Sequence, residues 1–150
     1  MCGNRGCATV QASTIRFKRL VKERLKRGES SILKEGFSFQ NLAEAVRMED
    51  VVACSVYKNM IVYLGRVIIN TIWCYGPQCI VLGGEMTLIG DKLLDDLKMY
   101  VKQHTDESIF HRVEILLSNM SASEALCGIG LLTAEYVFER LEIFEQSAGE

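Results

Sequence analysis

The sequence predicts an α/β protein in which two parallel strands are flanked by helices. Two short apolar runs, at residues 79–82 and 112–118, have the length of buried strands, and helical patterns surround them. Strands that alternate with helices pair in parallel through right-handed crossovers. A chain of 150 residues with 49% hydrophobic and 24% charged residues suits one compact domain that buries a core.

The first predicted helix, at residues 14–27, is basic and amphipathic. Its apolar residues have spacings compatible with one helical face: Ile15, Leu20, Val21 and Leu25. Seven Lys or Arg residues and a single Glu occupy much of the rest. These bases raise the hypothesis of a nucleic-acid binder. No aromatic or base-reading pattern accompanies them, however, and the whole chain has a net charge of -2.

Two further helices are predicted before the first strand. Ser38 can cap a short one that ends near residue 47. A long one begins near Glu49 and Asp50, whose carboxylates suit a helix N-terminus, and it runs to about Tyr75, where a Gly-Pro pair stops it. Its apolar stretch is interrupted by an arginine and an asparagine, and it is shorter than the roughly 18 to 20 apolar residues that a bilayer span needs. A buried core helix is therefore predicted, and no membrane partner.

Both predicted strands lead into helices. Residues 79–82 run directly into a glycine pair, which predicts a strand buried on both faces and a sharp exit. A helix follows at 91–104, and after the second strand a capping box of Ser121 and Glu124 opens a closing helix at about 122–145. Two strands alone leave an unpaired edge, so either another chain covers that edge or the sequence is the end of a larger protein.

Six cysteines are scattered along the chain, too widely for a small disulfide scaffold. No charged and then apolar leader precedes them, so we expect a cytoplasmic protein. Cys2 and Cys7 could be half of a metal site, half of a disulfide pair, or a turn whose thiols do nothing. The other four fall in apolar runs and are predicted to be small buried hydrophobic residues: Cys54, Cys74, Cys79 and Cys127.

Three stretches resemble one known family. They are "CGNRGC" followed by "ATVQAS", then "LGRVIINTIWCYGPQCIVLGG", and finally "SEALCGIGLLTAEYVF". Together they are similar to the carboxyl half of the ROK family of sugar kinases and sugar-responsive repressors, and the resemblance covers nearly the whole chain. It implies the helix-rich carboxyl-terminal part of an actin-like (ribonuclease H-like) ATPase domain.

The resemblance implies a zinc site. The family motif, Cys-x-Cys-Gly-x-x-Gly-Cys-Leu-Glu, binds a structural zinc through three cysteines and an upstream histidine. Cys2 and Cys7 match its second and third cysteines, while the other two ligands would lie before residue 1. Zinc closes a structural site with four ligands, so the site is incomplete here. Exposed thiols on a mobile terminus are the alternative for this pair.

The resemblance also implies a sugar contact and a nucleotide contact. Thr9 stands where the family's glutamate hydrogen-bonds sugar hydroxyls, which implies a changed sugar affinity or choice, because a threonine offers one short hydroxyl instead of a carboxylate. The alternative is that Thr9 only opens a short helix. Gly83 and Gly84 match a glycine pair that lets the backbone approach the adenosine of ATP, although turn geometry alone would also demand glycine.

The parts that carry phosphoryl transfer have no match in this chain. The acids of the predicted 91–104 helix, Asp91, Asp95 and Asp96, are expected to be solvated charges, and none matches the family's catalytic base. The chain alone is therefore not expected to be an enzyme, although its parent could be a sugar kinase. We divide residues 1–150, as one domain or domain fragment, into a partial zinc motif (1–13), a helical part (14–75) and a strand-helix-strand-helix part (76–150).

Function follows from the resemblance as an expectation. The preferred interpretation is the sugar-sensing and dimerisation portion of a ROK-family transcriptional repressor, whose DNA-binding domain would lie outside this chain. The alternative is the carboxyl half of an ATP-dependent ROK sugar kinase. A homodimer is expected, because the long helix is apolar nearly all round, with Gly65 allowing close approach of another helix and the strand edge as a second contact.

Overall fold

The protein divides into two units, residues 1–118 and 119–150. The computed structural model describes residues 6–120 and 122–147, without the side chains of residues 9, 122, 123, 125 and 139–147. In chain order, the elements are α1 (Ala8–Gln11), α2 (Thr14–Lys26), α3 (Phe39–Arg47), α4 (Val51–Tyr75), β1 (Cys79–Leu82), a 3₁₀ helix (Glu85–Ile89), α5 (Asp91–His104), α6 (Glu107–Phe110), β2 (Glu114–Leu117) and α7 (Ala122–Ser147).

Helices α2 and α3 begin where serine can cap them. The Ser13 hydroxyl accepts a hydrogen bond from the Arg16 amide at 3.1 Å. Ser38 forms a reciprocal capping box with Asn41, so the predicted cap of α3 is confirmed. The predicted apolar face of α2 is wrong for Ile15, which is 75% exposed. Phe17 is buried instead, because residues two apart lie on nearly opposite sides of a helix.

A tight corner joins α3 to α4. Glu49 has a φ of 59° in the left-handed region, and the Asp50 amide donates to the Ala45 carbonyl at 2.9 Å. The Asp50 carboxylate then caps α4 by accepting from the Ala53 amide at 2.9 Å, and it also accepts from the Ile32 amide at 2.9 Å. The corner therefore fixes the direction of α4 and holds the preceding loop against it.

Helix α4 is the core helix, as predicted. By length and composition it could cross a bilayer. Nine of its residues are buried, however, and it packs against α2, α3 and α5. It ends at Gly76, which adopts the left-handed conformation that favours glycine. Gly65, which we expected to admit a helix of another copy, is covered within the chain by the Tyr100 ring of α5.

Strands β1 and β2 form a parallel pair, as predicted, with Ile80 opposite Ile115 and Val81 opposite Leu116. One face of the pair lies on the core, where Ile115 is buried. The prediction that the first strand is buried on both faces is wrong in this chain, since Val81 is 60% exposed and Leu116 is also exposed. Helix α5 contacts β2 on the core side, and no described residue covers Val81 and Leu116 on the opposite face.

The second unit contains α7. Its predicted cap, Ser121, lies outside the described residues. The apolar side chains that are described between Leu126 and Phe138 are largely exposed.

The predicted burial of the four later cysteines is wrong. Cys54 is half-buried, and the other three are exposed: Cys74, Cys79 and Cys127. Two of the exposed cysteines are exposed because of their positions in the elements. Cys74 lies in the last turn of α4 and Cys79 at the first residue of β1, where both elements extend beyond the core. An apolar run in sequence therefore did not guarantee burial of each member.

Candidate functional site

The glycine pair follows the carboxyl end of β1, where the carboxyl ends of both strands meet. In open α/β sheets, ligands bind at this edge. The Ser118 amide, just after β2, donates to the Leu82 carbonyl at 2.7 Å and so extends the strand pairing beside Gly83. A Cβ added at Gly83 would lie 3.8 Å from the Ser118 Cβ, an ordinary contact. Backbone crowding therefore does not require glycine at position 83.

Gly84 has a different reason to be glycine. Its φ of 85° with a ψ of -173° is a conformation that residues with a side chain rarely adopt. Its carbonyl accepts from both the amide and the hydroxyl of Thr87, at 3.1 and 2.9 Å, and this starts the 3₁₀ helix. Turn geometry thus accounts for Gly84. At Gly83, the lack of a side chain leaves the backbone accessible to a ligand.

The segment after the glycines is anchored to the core. Met86 and Ile89 of the 3₁₀ helix are buried. The Arg47 guanidinium of α3 donates to the Leu88 carbonyl. Both glycines remain exposed on this anchored support. The turn is therefore a fixed backbone surface at the strand edge, a suitable shape for contact with a planar ligand group.

Of the two predicted metal ligands, Cys7 lies among the described residues. Cys7 is half-buried and precedes α1, where its carbonyl accepts from the amides of Val10 and Gln11. Cys2 lies outside the described residues. Within the described part of the chain no group of three or more His, Cys, Asp and Glu side chains could hold a metal ion. The donor set of the described residues alone therefore does not fit a closed zinc site with four ligands.

Thr9, the predicted sugar contact, is in the single turn of α1, and its side chain is not described. Helix α1 packs against α4, whereas the glycine turn lies beside Ser118. The predicted site residues therefore form two groups on separate elements, Cys7 with Thr9 and Gly83 with Gly84.

One polar cluster was not predicted from the sequence. The Tyr57 hydroxyl of α4 donates to the Asp96 carboxylate of α5 at 2.8 Å, and the Lys92 ammonium lies 3.6 Å from the same carboxylate oxygen. Burial, together with the Asp96 hydrogen bond, raises the pKa of Tyr57 above its usual value. The phenol is therefore held as a donor that locks α4 to α5. The expectation that Asp96 is only a solvated charge is wrong, because its carboxylate accepts this hydrogen bond. The sequence did not indicate the bond, since the two residues are 39 positions apart.

Known proteins similar to this chain include both kinases and repressors. A glucokinase from Thermotoga maritima is 23% identical over 91% of this chain and 45% of its own length. A xylose repressor from Bacillus spizizenii is 23% identical over 92% of this chain and 34% of its own length. The chain thus spans less than half the length of these curated relatives.

Solved structures support the same fold. The crystal structure of a ROK family transcriptional regulator, a homologue of the Escherichia coli Mlc protein, superposes with a TM-score of 0.72 at 24% identity, covering 80% of this chain and 31% of the other. The predicted fold class, the helix-rich carboxyl-terminal part of an actin-like ATPase domain with two parallel strands, is confirmed. The ROK family model matches residues 1–135. Because that match covers most of the 150 residues, the chain belongs to the ROK family.

Proposed function

We propose that the chain is the sugar-sensing and dimerisation portion of a ROK-family transcriptional repressor and is not catalytic by itself. The observation that carries this proposal is Thr9, which stands where the family resemblance places a sugar-contacting glutamate. The threonine hydroxyl can form one hydrogen bond to a sugar, whereas a glutamate carboxylate accepts two from a vicinal diol. Weak, reversible sugar binding suits a sensor. A cytoplasmic location follows from the repressor role, with DNA bound through a domain outside this chain.

The sugar contact can be tested at position 9 by calorimetric titration with glucose and xylose. We expect weak binding by the wild-type chain and at least tenfold tighter binding of one sugar by Thr9→Glu, because the carboxylate restores two acceptors. Thr133→Glu, at an exposed position of α7, is the matched control and should leave the affinity unchanged. Equal affinities for wild type and Thr9→Glu would contradict a sugar contact at this residue.

The alternative function, the carboxyl half of an ATP-dependent ROK sugar kinase, is supported by the room at Gly83. An open, anchored glycine turn at the strand edge suits an adenosine contact. A Gly83→Val variant of the chain should then lose affinity for a fluorescent ATP analogue. Glu85→Gln is the control, since Glu85 is exposed just beyond the turn. Equal binding by Gly83→Val and wild type would count against the kinase.

The chain alone is expected to show no phosphorylation of common hexoses with ATP and magnesium, because no residue matches the family's catalytic base. A coupled assay measures this. Turnover that is abolished by a substitution in this chain would contradict the proposal that the chain is not catalytic.

We also propose self-association through the open face of the strand pair. Val81 of β1 and Leu116 of β2 are register partners, and both are exposed on the same face of the strand pair. Parallel sheets are normally covered on both faces. Light scattering should report a homodimer at micromolar concentration, and Val81→Asp should shift it toward monomer. Met99→Asp, an exposed apolar position on α5, is the control. A wild-type monomer would contradict this contact.

A further inference from the structure

A pocket of about 310 Å³ lies where α1, α2 and α4 meet, defined by residues to which the family resemblance assigns no role. Its floor is apolar, with Phe17, Leu20, Val56 and Met60. The polar groups that line it come from all three helices: Gln11, Arg16, Asn59 and Tyr63. A small cavity with an apolar floor and a few convergent polar groups is the usual form of a small-molecule site.

Gln11 is the unusual member of this pocket. Its amide oxygen is fully buried and has no hydrogen-bond partner among the described residues. Buried polar atoms are nearly always paired, because an unpaired one loses its hydration without compensation. Since this oxygen makes no hydrogen bond where it lies, turning it toward the cavity breaks no hydrogen bond of the oxygen. It would then offer an acceptor to a hydroxyl group in the pocket.

The positive charge of Arg16 in the lining of the pocket favours an anionic ligand. Arg16 is half-buried and forms no ion pair within the described part of the chain, and no acidic side chain lines the cavity. Its guanidinium can bind a carboxylate through two parallel hydrogen bonds. Asn59 donates through Nδ2 to the Ser55 carbonyl at 3.3 Å, which leaves its amide oxygen as a second acceptor for hydroxyls.

We propose that this pocket binds a small hydroxylated carboxylate of the sugar-acid class. The carboxylate pairs with Arg16, the hydroxyls bond to Gln11, Asn59 and Tyr63, and the carbon chain lies on the apolar floor. The proposal uses none of the residues to which the family resemblance assigns a role, and it does not depend on the repressor function.

Calorimetric titration of the full chain with gluconate tests the proposal, and glucose is the neutral counterpart. A ligand of this size should bind with a Kd of about 1 mM, and glucose should bind at least tenfold more weakly at this site. Gln11→Leu should weaken gluconate binding about fivefold. Acetate should not compete at the same concentration, because it has the charge but no hydroxyls.

Arg16→Gln and Arg19→Gln are the matched pair. They remove the same charge three residues apart on α2, but Arg19 does not line the pocket. We expect at least a tenfold loss of gluconate affinity for Arg16→Gln and none for Arg19→Gln, with unchanged circular dichroism for both. No gluconate binding by the wild type, equal losses in both variants, or equal competition by acetate would overturn the proposal.

Discussion

The Tyr100 ring lies directly against the backbone of Gly65, where α5 crosses α4. A Cβ added to Gly65 would lie 2.2 Å from the Tyr100 Cδ1 atom, a distance that real Cβ contacts do not show. Tyr100 in turn stacks on His104, with ring centroids 4.1 Å apart. The glycine therefore sets the distance between two core helices.

Gly65→Ala should lower the free energy of unfolding by about 1–2 kcal/mol, because overpacking at the ring outweighs the better helix propensity of alanine. Urea denaturation followed by circular dichroism measures the change. In a Tyr100→Ala background, Gly65→Ala should instead be neutral or stabilising. Gly128→Ala, where no atom of the described residues lies within 4 Å of the added Cβ, is the helical control. A loss of equal size in both backgrounds would show that Tyr100 is not the cause.

Asp50 should make stability depend on acid pH. Burial raises the pKa of this carboxyl, but hydrogen bonds from Ala53, Ile32 and Ser31 outweigh burial and hold the pKa below its usual value. As pH falls, the unfolded chain takes up the proton first, so the contribution is complete above about pH 4 and is lost below it. Urea unfolding between pH 7 and pH 3 measures the loss.

Two variants separate the cap of Asp50 from its charge. Asp50→Ala should cost about 1–2 kcal/mol at pH 7 because it removes the cap and leaves the Ile32 amide unpaired. Asp50→Asn keeps a capping side chain and should lose less stability on acidification than the wild type. Parallel pH profiles for wild type and Asp50→Asn would show that another group is responsible.

Tyr57 should resist ionisation in the folded chain. Because burial and the Asp96 hydrogen bond raise its pKa, its contribution to stability is complete below about pH 10 and is lost as pH rises through the folded value. Absorbance titration at alkaline pH should show wild type and Tyr57→Phe releasing the same number of phenolic protons up to about pH 11. One fewer proton released by the variant in that range would contradict the raised pKa of Tyr57 and its hydrogen bond to Asp96. Tyr75, which is exposed, provides the control substitution.

The chain purified alone is expected to carry less than one zinc per molecule, because it matches only two of the four ligands of the family motif, Cys2 and Cys7. Elemental analysis measures the content, and a chelator should leave the Tm unchanged. One tightly held zinc per chain that is lost in Cys7→Ser would contradict this expectation, unless the ligands bridge two chains.

Element boundaries followed from local chemistry and could be predicted closely. As helix caps, Ser38, Asp50 and Gly76 each act on residues within one helical turn, so the sequence around them contains the whole cause of the boundary. Exposure could not be predicted in the same way. Val81 and Cys79 occur in a run with the pattern of a buried strand, and whether such residues are covered depends on what packs from elsewhere.

The candidate site was predictable only in its backbone part. The φ of Gly84 follows from a strand that turns at once into a 3₁₀ helix, and the glycine pair signals such a turn. The Tyr57 bond to Asp96 had no local signal, because a tyrosine on an apolar helix has the pattern of an ordinary core residue. The unpaired oxygen of Gln11 is visible only once three helices surround it.

The corner at Glu49 has a consequence for the order of folding. The backbone hydrogen bonds of the corner join residues at most five apart, and the Asp50 carboxylate adds one bond from Ile32, 18 residues away. The strands β1 and β2, in contrast, pair only after the chain has passed through the whole of α5. Contacts between near neighbours close with little loss of chain entropy, and distant parallel pairing is slow. We therefore expect amides at the start of α4 to be protected before those of β2 in pulsed hydrogen exchange during refolding. Simultaneous protection would mean that the strand pair belongs to the same nucleus as the corner.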